Sequence, residues 1–68
     1  MLTRENLLKI FKSFGIQKGM LVLVETNGSL ESYIAGGEQM VIEVLKEMLG
    51  NQGCIIAYIF IFIYYAFF

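Results

Sequence analysis

The sequence has no histidine and a single cysteine, Cys54, in 68 residues. One thiol cannot close an internal disulfide, and with no imidazole to assist it no transition-metal site is expected. The lack of histidine also removes the commonest general base, and no loop gathers a nucleophile, a base and an orienting group. No catalytic residue is therefore assigned. Cationic charge is scarce as well: five Lys and Arg against six Asp and Glu leave a net charge of −1, with no basic face for nucleic acid. The opening "MLTRENLLKI" places Arg4, Glu5 and Lys9 where a secretory signal would be apolar, so no signal is expected and the cytosol is the default compartment. After Glu47 there is no charge at all, and Cys54, inside that apolar run, is expected to be a buried, inert thiol.

What the chain does have is hydrophobic residues, 57% of the total against the roughly 45–50% of an average soluble domain. A chain this short buries only about 60% of its unfolded surface, so it makes one domain at most, with a marginal core. Thr3 suits the cap of a helix beginning near Arg4, in which Leu7, Leu8, Phe11 and Phe14 form the core stripe and Gly15 marks the end. After the loop "GIQKG", the segment Met20 to Val24 predicts a strand apolar on both faces, which belongs in a sheet covered by helices on both sides. A second helix is predicted from Met40, Val41, Val44, Leu45, Met48 and Leu49, stopped by Gly50, and a second strand from Cys54 to Ile59. Residues 20 to 59 then form one βαβ unit with a right-handed crossover, preceded by a helix. The fold class is α/β, read as a piece of a larger three-layer α/β/α domain.

Chemistry concentrates between Glu25 and Gly37, in a connection long for so small a chain. Gly36 and Gly37 directly precede a helix, where backbone amides and the helix dipole can approach a phosphate. Glu38 opposes this, because its carboxylate repels an anion, so a plain flexible joint is the alternative. Glu25 stands at the carboxyl end of the first strand, where open α/β sheets place ligands; it suits a base or a group that binds an amine, and equally a simply solvated carboxylate. Thr26, Asn27 and Ser29 beside it offer hydroxyl and amide groups that equally suit a turn.

These segments resemble the N-terminal part of the aminoglycoside 3-N-acetyltransferase family. The resemblance runs over about residues 2 to 57, through "LTRENLLKIFKSFGIQKGMLVLV", then Thr26, Ser29 and Tyr33, then "GGEQMVIEVL" and "LGNQGCIIA". It implies acetyl transfer from acetyl-coenzyme A to the 3-amino group of a 2-deoxystreptamine antibiotic, with no metal, and hence antibiotic resistance. It also implies that Thr26, Ser29, Gly36 and Gly37 help to hold the coenzyme. Glu25 stands where the family commonly has histidine, while Asn27, Gly28, Leu30, Glu31 and Tyr58 also depart from its pattern. The family's catalytic histidine and acidic residues lie downstream of any segment matched here, so the 68 residues alone are expected to be inactive.

The likeness fades at Tyr58, where the sequence becomes "YIFIFIYYAFF". Residues 1–57 are accordingly read as the N-terminal part of an acetyltransferase-like domain. Residues 58–68 are read as an apolar tail, of the kind a shifted reading frame or early stop would leave. The alternative is a small membrane-associated protein anchored by residues 48–68, which carry no charge. Its unbroken apolar part, residues 54–68, spans only about 22 Å as a helix, short of the ~30 Å of a bilayer core. The same tail, rich in β-formers and without charge or proline, is also expected to promote aggregation.

Overall fold

A computed structural model describes residues 1–26 and 28–59. The elements run α1 (Arg4–Ser13), β1 (Leu21–Thr26), a 3-10 turn (Leu30–Ser32), α2 (Gly37–Leu49) and β2 (Cys54–Ile59). The α/β class and the helix, strand, helix, strand order are as the pattern predicts. Asn27 and the segment 60–68, which makes up most of the apolar tail, lie outside the described residues.

Helix α1 begins in a reciprocal cap. The Asn6 N–H donates to Thr3 Oγ1 at 3.3 Å, and the Thr3 N–H donates to Asn6 Oδ1 at 2.9 Å. Two helix-start amides are thereby satisfied within the sequence Thr-Arg-Glu-Asn. Glu5 in the first turn and Lys12 in the last complement the helix dipole. Helix α2 ends at Gly50, whose positive φ of 69° follows the last helical turn and whose N–H donates to the Lys46 carbonyl at 3.1 Å. Arg4 and Glu47 form an ion pair that joins the start of α1 to the last turn of α2, on a surface where such pairs contribute little.

The two strands pair in parallel, with Leu21 opposite Cys54, Leu23 opposite Ile56 and Thr26 opposite Ile59. Strand β2 thus runs two residues past position 57. The core consists of Leu7, Ile34, Val41, Val44, Leu45 and Leu49, with Phe11, Val22, Val24 and Ile55 packed against it. Alternate residues of β1 therefore face the helices, as the pleat requires.

Three expectations are corrected here. Strand β1 is covered on one face only: Leu21 and Leu23 are 68% and 57% exposed, because among the described residues both helices pack on the Val22 and Val24 side. The described residues thus make two layers. Cys54 is exposed, since it opens β2 opposite Leu21 on the uncovered face. Phe14 is 73% exposed despite being in phase with the Leu7 and Phe11 stripe. It is the C-cap, one residue beyond the helix, and borders an open groove of about 280 Å³ that also touches Phe11, Ile16 and Val22.

A helix over 48–68 is also contradicted in its described part. Helix α2 stops at Leu49, Asn51 and Gln52 form a turn, and residues 54–59 are strand. Among the described residues no helix is long and apolar enough to cross a membrane.

Candidate functional site

The carboxyl end of β1, the 3-10 turn and the amino end of α2 meet at one corner of the molecule, held together by side chain to backbone bonds. Strand β1 extends through Thr26, two residues further than the apolar run suggests, and the pleat turns Thr26 inward and Glu25 outward. Thr26 is 8% exposed, the one buried polar residue among those described. Its hydroxyl is used twice: it accepts from the Gly28 N–H at 3.2 Å and donates to Glu38 Oε1 at 3.3 Å.

Glu38, in the first turn of α2, is the centre of this corner. Its Oε1 also accepts the Leu30 N–H at 3.1 Å, so one carboxylate oxygen ties β1, the 3-10 turn and α2 together. The Leu30 N–H and Glu38's own N–H hold the carboxyl below its usual range, burial opposes them, and the Thr26 hydroxyl adds to the lowering. The group is ionised at neutral pH and acts purely as an acceptor. The sequence marks Glu38 only as a deterrent to anions. Its role as a tie depends on Thr26 and Leu30, twelve and eight residues away, which periodicity does not reveal.

The other half of the connection is pinned by the chain's second residue. Leu2 bridges Ile34 in parallel, its N–H donating to the Tyr33 carbonyl at 2.8 Å and its carbonyl accepting the Ala35 N–H at 2.9 Å. What reads in sequence as a long unsupported loop is thus anchored at Thr26, Leu30 and Ile34.

The four residues that the resemblance assigns to coenzyme contact are distributed as follows. Thr26 is buried with its hydroxyl committed. Ser29 is exposed and precedes the 3-10 turn, its carbonyl accepting the Ser32 N–H at 3.2 Å. Gly36, at φ 90°, is the N-cap of α2, and Gly37, at φ 61°, is its buried first residue. Both need the left-handed region that glycine enters without penalty. The Gly37 N–H turns back to the Ile34 carbonyl at 2.9 Å, so it is not directed at an external phosphate. Glu25, the candidate base, is exposed and alternates away from Thr26 and Glu38, so the structure does not bring it into this corner. The donor set fits a phosphate only if the Glu38 carboxylate leaves it.

Gly37 offers a direct test of how tightly the corner is built. A Cβ there would lie 2.8 Å from Glu31 Cγ, and its φ of 61° is one that L-residues avoid. Gly37→Ala is expected to lower stability by about 1–2 kcal/mol from the left-handed backbone alone. Urea denaturation measures this, and an unchanged midpoint would mean that position 37 does not require the left-handed conformation described.

A larger open groove, about 540 Å³, lies at the other end of α2, between Ile42, Lys46 and Leu49 and the strand residues Ile55 and Ala57. It contains none of the residues assigned to coenzyme contact. Among the described residues no three His, Cys, Asp or Glu groups are placed to share a metal ion.

No family model and no solved structure matches the chain. Over 56 residues it is 34% identical to aminoglycoside N(3)-acetyltransferase VIII of Streptomyces fradiae, an alignment that covers 82% of this chain and 20% of that protein. The chain therefore spans about a fifth of the length of the curated relative it matches. The likeness to an aminoglycoside acetyltransferase is distant and partial, and it extends over most of the present chain.

Proposed function

We propose that residues 1–57 are the N-terminal segment of an acetyltransferase-like protein of the aminoglycoside N(3) class, in which the corner formed by β1 and α2 faces acetyl-coenzyme A. The observation that carries this reading is the 56-residue alignment with the Streptomyces fradiae enzyme. The site's position adds support, since ligands of open α/β sheets lie outside the carboxyl ends of the strands. Thr26, Ser29, Gly36 and Gly37 are the coenzyme contacts in this reading, and the acceptor is a 2-deoxystreptamine antibiotic, so that the complete activity is one of resistance. Residues 58–68 form an apolar tail outside the acetyltransferase-like part. The cytosol is the compartment in which acetyl-coenzyme A and the drug would meet.

The 68 residues do not carry out the transfer themselves. Acetylation of an amine requires a base to take its proton as the thioester carbonyl is attacked, and Glu25 points away from the corner where the coenzyme would lie. Incubating the purified chain with acetyl-coenzyme A and an aminoglycoside is expected to release free thiol at the rate of the protein-free blank. Release clearly above that blank, abolished by omitting the antibiotic, would overturn the assignment of an incomplete catalytic apparatus. Binding of acetyl-coenzyme A is measured separately by titration calorimetry.

A further inference from the structure

The corner at the start of α2 contains an anion already, and that anion belongs to the protein. Glu38 Oε1 receives the Leu30 N–H and the Thr26 hydroxyl, and Thr26 in turn holds the Gly28 N–H. Both bonds end on an ionised carboxylate, at 3.1 and 3.3 Å, so the charge assists them without making them short. The donors come from the end of β1 and the start of the 3-10 turn, so the carboxylate ties these two elements to α2. Thr26 is 8% exposed, so the hydroxyl end of the bond is buried while the Glu38 carboxylate is half-buried.

We propose that Glu38 is an autoinhibitory latch: its carboxylate holds the Leu30 N–H and the Thr26 hydroxyl closed against α2, and a coenzyme phosphate gains this corner only by displacing it. The role rests on the coenzyme-facing reading given above. A phosphate and a carboxylate compete for the same donors, and both charges cannot sit within one small corner without strong repulsion. The competition is intramolecular. Glu38 is held in the same chain as the donors it binds, so it competes at a high effective concentration against a dilute free ligand. The closed corner is therefore the resting state of the chain, and weak coenzyme binding is its consequence.

The test uses the full 68-residue chain as wild type, Glu38→Ala and Glu38→Gln. Amide hydrogen exchange at Leu30 reads the latch, and titration with coenzyme A reads the inhibition. Glu38→Ala is expected to speed Leu30 exchange by at least about tenfold, as loss of a charge-assisted bond implies, and to tighten coenzyme A binding by a similar factor. Glu38→Gln keeps an acceptor oxygen without the charge and is expected to give smaller changes in the same direction. It supplies the readout should the alanine variant fail to fold.

Unchanged Leu30 exchange in a folded variant would overturn the latch. Faster exchange with coenzyme A bound equally by wild type and variants would overturn the inhibition while leaving the coenzyme-facing reading intact. Faster exchange with no binding by any of the three would instead defeat that reading, and the inhibition with it.

Discussion

Leu45→Ala is expected to abolish or nearly abolish cooperative folding. Leu45 is 1% exposed, in a core of six buried apolar side chains, and it contacts the groove between α1 and β1 as well as its own helix partners. Truncating a fully buried leucine costs about 2–5 kcal/mol, through lost transfer energy and the cavity left behind. A chain of this length has a total stability of only about 3–10 kcal/mol on the usual per-residue scale. The substitution thus removes a large share of what holds the molecule together. Melting followed by circular dichroism is expected to shift down by roughly 8–40 °C, the upper part of that range amounting to no folded baseline. Leu21→Ala is the matched control: its side chain is 68% exposed on the uncovered face, and a change within about 0.5 kcal/mol is expected. Equal losses from the two variants would mean that the sheet is covered on both faces after all.

Gly53→Ala is expected to be nearly as damaging, for a reason of space. A Cβ at Gly53 would lie 2.4 Å from Leu49 Cβ, 3.0 Å from the Leu49 carbonyl oxygen and 3.2 Å from that of Met20. The two oxygens are already engaged, the first accepting the Gly19 N–H at 2.9 Å and the second the Cys54 N–H at 3.1 Å. Retreat of the first would break the bond between the end of α2 and the turn before β1, and retreat of the second the bond that brings β2 alongside β1. Overpacking of this kind costs about 1–3 kcal/mol, and here it acts on the residue directly before β2, beside the Cys54 to Met20 bond. Loss of protection at the Cys54 amide, together with a lowered melting temperature, is the expected signature. A variant with wild-type protection at Cys54 would show that the turn after α2 shifts freely and that the close approach is not required.

Much of the fold is legible in the sequence because its causes are local. Thr3 and Asn6 are three residues apart, so the cap of α1 is written in four consecutive positions. The stripe of Val41, Val44, Leu45 and Leu49 repeats at helical spacing and is the stripe that is buried, and Gly50 stops the helix where its conformational freedom permits. The candidate site was less legible. Its members read as a connection rich in hydroxyls and glycines, yet the group that organises them, Glu38, reads in sequence only as an unfavourable charge. Thr26 reads as a hydroxyl that suits a turn, although strand β1 carries it into the interior.

The order of elements, their caps and their apolar stripes were determined by the sequence alone, because hydrogen bonding within a helix and alternation along a strand depend on residues a few positions apart. Tertiary structure decided which face of β1 is covered, since Leu21 and Leu23 are as apolar as Val22 and Val24 and only the placement of the helices separates them. It decided the exposure of Cys54 and Phe14, whose neighbours in sequence suggest burial but whose neighbours in space, among the described residues, are too few. It decided, too, that Gly53 must lack a side chain and that Glu38 holds donors from β1 and the 3-10 turn. Each of these depends on atoms brought together from distant positions, and distance along the chain carries no record of that meeting until the core forms.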